Sequence, residues 1–153
     1  MNWQVIQRIV GLLLMMFSIT MLPPIIISLL YTDNVWSSFL SGFLLTLFSG
    51  LIIWLPVRHS GNELRLRDGF LVVALFWVVL GIFGASPLYF SSLPNMSLTD
   101  AIFESMSGLT TTGATVLNGL DLLPKSILYY RQQLQWLGGM GIIVLAVAVL
   151  PML

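Results

Sequence analysis

Polar residues in this chain are confined to a few short runs, and the apolar stretches between them are long. Ile9–Tyr31, Val35–Val57 and Gly69–Phe90 contain no charged residue, and each meets the length of about 20 residues that an α-helix needs to cross a bilayer. A fourth uncharged run follows Arg131, from Gln132 to Leu153. The pattern predicts four transmembrane helices. Pro23-Pro24 falls inside the first and should kink or break it in its outer third. Trp36 and Trp54 open and close the second, as in the aromatic belts at the two membrane interfaces. Gly81, Gly84 and Ala85 put small residues together in the third, which predicts a face for close helix packing.

The links between these runs set the expected topology. Thr32-Asp33-Asn34 is a short turn, so the first two helices form a hairpin, 1–57. The block 58–68, RHSGNELRLRD, holds three of the six basic residues. Positive charge collects on the cytoplasmic side of short loops. This block and the N-terminus, with Arg8, are therefore expected inside, and Asp33 outside. His59 reads as a solvated loop residue, and Arg65 and Arg67 as topology anchors. The first apolar run is longer than the roughly 7–15 residues of a signal-peptide core and has no A-x-A-like cleavage site, so it is expected to be a retained helix.

Between the third and fourth spans lies SLTDAIFESMSGLTTTGAT, 97–115. Ser97-x-x-Asp100 fits a capping box at a helix start, and Gly108 is a natural stop. The helix expected over about 98–108 is roughly 17 Å long at 1.5 Å per residue, about half the hydrocarbon thickness. Non-helical backbone at membrane depth is tolerated only where it is buried in protein or lines a water-filled path. Threonines followed by glycine suit such a path for a cation. Carbonyls of an extended loop replace the ion's water, glycine permits the backbone angles that aim them, and the C-terminal end of the half-helix is partially negative. Gly138-Gly139-x-Gly141 weakens the last helix by about 1 kcal/mol per glycine, so it calls for a close helix contact or a bend beside a pore.

Composition narrows the chemistry. The chain has 153 residues, 58% hydrophobic and 8% charged, no cysteine and one histidine, and its mean hydropathy is +0.98. A soluble domain carries about a quarter charged residues, so this is an integral membrane protein. Zero formal net charge gives no reason to expect nucleic acid as a partner. Disulfides, thiolate metal sites and His-pair zinc motifs are excluded. No G-x-S-x-G or Walker-type loop occurs. Neither an enzyme nor a cofactor is proposed.

The order Thr110-Thr111-Thr112-Gly113-Ala114 resembles the filter of the Trk/Ktr/HKT superfamily of potassium transporters. FESMSGLTTTGAT, GLDLLP and YYRQQLQWLGGMGIIVLAVAVLP together resemble the first pore repeat of its bacterial TrkH/TrkG potassium-uptake branch. The likeness extends back through LRLRDGFLVVALFWVVLG and RIVGLLL, over essentially the whole chain. It implies an all-α membrane fold with four transmembrane helices, one re-entrant pore half-helix and an extended filter loop. The implied parts are the N-terminal hairpin 1–57, a cytoplasmic loop 58–68 and a first membrane–pore–membrane repeat 69–153, with the filter at 110–114. It further implies K⁺ uptake across the bacterial inner membrane and K⁺ coordination by the Thr111 and Thr112 carbonyls. Gly113 would then be the conformational requirement, and Thr110 a further, inner ligand. A cytosolic nucleotide-binding regulatory subunit is the implied partner.

Family members carry four such repeats around one pore, and this sequence holds one. Leu150-Pro151-Met152-Leu153 reads as a chain cut where the family continues; the other reading is assembly with further copies. A non-conducting protein that packs with other subunits is the alternative function. A secondary transporter is disfavoured by the lack of an inverted half. Glu104 is the acid expected at membrane depth, where an ionisable group is a functional candidate. It could face the pore, or sit behind the filter and accept hydrogen bonds from filter amides; the second is the reading adopted. Asp121 reads either as an outer-mouth charge or as a solvated turn residue. Gln132, Gln135 and Trp136 are expected to pack against neighbouring repeats, and Arg131 to snorkel or pair near the outer interface.

Overall fold

The computed structural model describes residues 3–58 and 66–149, with side chains outside 66–68 and 144–149. Residues 59–65 of the expected cytoplasmic block, including His59 and Arg65, lie outside the described residues, as do the side chain of Arg67 and Leu150–Leu153.

The first apolar run forms two helices, α1 (Trp3–Ile19) and α2 (Leu22–Tyr31), which part at Thr20-Met21. The prolines cause this break from just beyond it. Neither has an N–H to donate, and both are accommodated in the first turn of α2. After the Thr32–Asn34 turn, α3 (Trp36–Trp54) runs back and ends in a 3-10 turn, Leu55–Val57. α1 and α3 cross at glycines. A Cβ on either Gly11 or Gly50 would lie 2.9 Å from the other's carbonyl oxygen, the close approach that small residues allow between membrane helices.

α4 (Leu66–Gly84) rises to Ala85, and a short α5 (Ser86–Phe90) follows, with Pro87 in its first turn. α6 (Leu98–Leu109) is 12 residues long, or about 18 Å, short of the ~30 Å hydrocarbon core. A 3-10 turn, Leu120–Leu122, precedes α7 (Lys125–Val149). Among the described residues three stretches are long and apolar enough to cross a membrane: Trp3–Tyr31, Trp36–Val57 and Gly69–Phe90. The fourth expected crossing, α7, has 25 residues, or about 37 Å, and so has the length for it.

One core joins these elements. Leu14, Met21, Phe39, Leu88, Ala101, Ile127, Tyr130 and Leu134 are fully buried in it. Residues from both the expected hairpin and the expected repeat thus share one interior, and Phe39 of α3 meets Tyr130 of α7 edge-on at 5.3 Å. The small face of α4 receives α6. A Cβ on Gly81 would overlap Met106, and one on Gly84 would lie 2.5 Å from the Ser105 hydroxyl.

Candidate functional site

The site is the end of α6 and the non-helical segment, from Thr110 onward, that leaves it. Ser97 caps the helix start: its Oγ accepts from the Asp100 amide at 3.2 Å and donates to Asp100 Oδ2 at 2.7 Å. The N-cap half of the expected capping box is therefore formed, while Asp100 returns its carboxylate to the Ser97 hydroxyl rather than to the Ser97 amide. At the other end the helix passes Gly108, the expected stop, and finishes at Leu109. Gly108 stays helical because it is a packing residue; a Cβ there would come within 3.1 Å of the Leu134 Cβ.

Thr111, with φ 56°, takes the left-handed conformation instead. The amide of Thr111 donates to the Gly108 carbonyl at 2.9 Å, and that of Thr112 to the Ser107 carbonyl at 3.0 Å. This is the Schellman pairing that ends many helices, with threonine where glycine is usual. The Gly113 amide also reaches the Ser107 carbonyl, at 3.4 Å, with Gly113 at φ 74°.

These bonds sort the polar groups of 110–114. The amides of Thr110, Thr111, Thr112 and Gly113 all point back at α6. The Ala114 carbonyl does too, accepting from the Ser107 hydroxyl at 2.7 Å. The Thr110 hydroxyl donates to the Met106 carbonyl at 2.8 Å and lies 2.9 Å from the Thr112 hydroxyl. The carbonyls of Thr111, Thr112 and Gly113 accept no hydrogen bond from the described residues, and all three residues are exposed. A cavity of about 200 Å³ lies beside them, lined by Phe103, Met106, Ser107, Thr110, Thr112 and Ala114. Among the described residues no cluster of three or more His, Cys, Asp or Glu could hold a metal. Oxygen ligands for a cation here would be backbone carbonyls.

Glu104 is 3% exposed. It accepts from the Thr115 hydroxyl, from the Val116 amide at 2.8 Å and from Arg131 Nε at 3.0 Å. One carboxylate thus ties the outgoing segment, at Thr115 and Val116, to both α6 and α7. The partner Arg131 resolves the oddity of a cation early in an apolar helix. Ser107 was not singled out by sequence, although a serine three residues after Glu104 shares its helix face. Gln135 lies near this segment, its Nε2 3.8 Å from the position a Cβ on Gly113 would take. Asp121 is exposed in the 3-10 turn before α7.

Residues 36–153 match the family described as TrkH, cation transport protein. The chain belongs to that family. It is 62% identical over its full length to the Trk system potassium uptake protein TrkH of Halomonas elongata, and 42% identical over 150 residues to the corresponding TrkG of Escherichia coli. Its fold superposes on the crystal structure of the potassium transporter TrkH from Vibrio parahaemolyticus with a TM-score of 0.94, at 58% identity over 99% of the chain. The chain spans 32% of the length of the TrkH relatives it matches, in sequence and in structure. In this TrkH-family chain α4, α6, the non-helical segment 110–114 and α7 make a membrane–pore–membrane repeat, with α6 as its re-entrant helix.

Proposed function

We propose that this chain forms the first pore wall of a bacterial inner-membrane K⁺-uptake protein, with filter 110–114. The observation that carries the reading is the row of carbonyls at Thr111, Thr112 and Gly113, three exposed residues, which accept no hydrogen bond from the described residues. A dehydrated K⁺ needs such oxygens. Thr111 and Thr112 are its ligands, Gly113 supplies the backbone angle and Thr110 is a further ligand toward the inner side. Glu104 supports the filter from behind. The N-terminus and the 58–68 block face the cytoplasm, where a nucleotide-binding regulatory subunit docks. The chain divides into hairpin 1–57, loop 58–68 and repeat 69–153. One filter segment is one wall, so conduction requires further repeats or other copies.

The test uses a bacterium lacking its own K⁺ uptake. Rb⁺ influx is measured for this chain alone, and for a transporter in which it replaces the matching segment of the Vibrio parahaemolyticus relative. Influx from the joined form, and a lower preference for Rb⁺ over Na⁺ with Gly113→Ala, is the expected result. An unchanged preference would sink the filter assignment. No influx from the joined form would favour a non-conducting protein that only packs with other subunits.

A further inference from the structure

One face of α7 collects polar contacts from the N-terminal half of the molecule. Ser126, Tyr130 and Gln133 are spaced four and three residues apart, so they share a helix face. The Ser126 amide and hydroxyl donate to Asp33 Oδ2 at 3.1 and 2.7 Å. The Tyr130 hydroxyl donates at 2.9 Å to the carbonyl of Gly84, the last residue of α4. Gln133 Nε2 donates at 2.8 Å to the carbonyl of Thr20, between α1 and α2. That carbonyl has no intrahelical donor available, because the residues three and four places on are Pro23 and Pro24.

The Asp33 contact is the most consequential of the three. α7 is preceded by Pro124, whose carbonyl takes the Ile127 and Leu128 amides at 3.1 and 3.2 Å but whose side chain offers no acceptor for the Ser126 amide. Asp33, in the distant α2–α3 turn, provides one. The same carboxylate accepts from the Ser28 hydroxyl at the end of α2 and from the Val35 amide, at 3.3 Å, at the start of α3. One side chain fastens three helix ends together.

The rest of α7 backs the proposed filter. Arg131 holds Glu104, Gly138 sits against the Leu109 carbonyl, and Gly139 and Gln135 lie beside Thr111 and Gly113. The Ser126–Gln135 distance along the helix is about 14 Å. We infer that Asp33 is a positioning residue for the filter: the N-terminal hairpin fixes the outer end of α7, and α7 fixes the 110–114 segment. The inference rests on the filter reading and gives the N-terminal helix pair a part in ion selection.

The experiment uses the joined transporter described above and reads the Rb⁺-over-Na⁺ uptake ratio at matched amounts in the membrane. Asp33→Ala is expected to lower the ratio about two- to thirtyfold, the scale of substitutions acting through a packed network. Pro124→Asp on the Asp33→Ala background restores a local helix cap but not the tether. The ratio is expected to stay low. Recovery of the ratio would reduce Asp33 to a helix cap and overturn the inference, as would an unchanged ratio in Asp33→Ala. Ser126→Pro, which removes both donors to Asp33 and is tolerated in the first turn of a helix, serves if Asp33→Ala fails to accumulate; a ratio equal to wild type in it overturns the inference equally. Gly113→Ala runs alongside. If it too leaves the ratio unchanged, the filter reading has failed; if it lowers the ratio while the Asp33 and Ser126 variants do not, only the tether has failed.

Discussion

Gly138 of α7 packs directly on the carbonyl group of Leu109, the last residue of the re-entrant helix. A Cβ at Gly138 would overlap the carbonyl oxygen and lie 2.6 Å from the carbonyl carbon. The obstacle is backbone, so no side chain can swing aside. Gly138→Ala must push α6 and α7 apart, at an expected cost of about 1–3 kcal/mol or more. Its neighbour Gly139 meets only the Thr111 methyl, at 3.9 Å. Gly139→Ala should be neutral or gain up to about 1 kcal/mol of helix propensity. Thermal melting of the two purified variants in detergent separates them; equal melting temperatures would mean that the contact does not hold the helices.

The Glu104–Arg131 pair predicts an asymmetry between ways of breaking it. Both side chains are mostly buried, 2% and 11% exposed. Removing one partner of a buried pair leaves the other charge uncompensated, typically at a cost of about 3–5 kcal/mol. Arg131→Met should therefore destabilise strongly. Glu104→Gln keeps an acceptor for the Val116 amide and should be milder than Glu104→Ala, which strands that amide and the Thr115 hydroxyl as well. Arg131→Met with Glu104→Gln should recover part of the loss. Additive effects in the double variant, measured by detergent melting, would show that the two groups are not coupled.

Local signals were readable in the sequence to the extent that their causes are local. Ser97-x-x-Asp100 carries its own cap, and Pro23-Pro24 carries its own break, displaced to Thr20-Met21 because proline is accepted inside the first turn of the next helix. Gly138-Gly139-x-Gly141 called for a close helix contact or a bend beside a pore, without saying which or at which glycine. What could not be read depends on distant partners. Gly108 looks like a stop until Leu134 is known to lie against it, and Thr111 takes the left-handed residue's place in its stead. Asp33 looks like an ordinary turn aspartate until Ser126 is brought to it. Arg131 looks misplaced until Glu104 pairs with it.

Thr111 and Gly113 both have positive φ, and they should respond to substitution in opposite directions. A β-branched residue at φ 56° is strained, and such strain costs of order 1–3 kcal/mol. Thr111→Gly should relieve it and raise the melting temperature, less the entropy that glycine adds to the unfolded chain. Gly113→Ala has room for its methyl, the nearest atom being 3.8 Å away. Its cost is conformational, about 1–2 kcal/mol. Thr111→Gly should also loosen the direction of the carbonyls it precedes, lowering Rb⁺ preference while the protein becomes more stable. A variant that gains stability and keeps full preference would show that the strained threonine has no bearing on ion selection.

The Asp33 tether has a pH dependence whose sign follows from its contacts. Burial pushes the carboxyl up, but hydrogen bonds from the Ser28 and Ser126 side chains and from the Ser126 and Val35 amides outweigh it, holding the group below the usual aspartate value of 3.8. The folded form thus favours the carboxylate more than the unfolded form does. Its stabilising contribution is present at pH values above 3.8 and is lost as pH falls through the lower folded value. Hydrogen exchange at the Ser126 amide, corrected for intrinsic rate, should show constant protection from pH 8 to about 5. Protection should fall only in more acid solution, and Asp33→Asn should remove that acid step. A fall centred near pH 6, or an acid step that survives in Asp33→Asn, would assign the effect to another group.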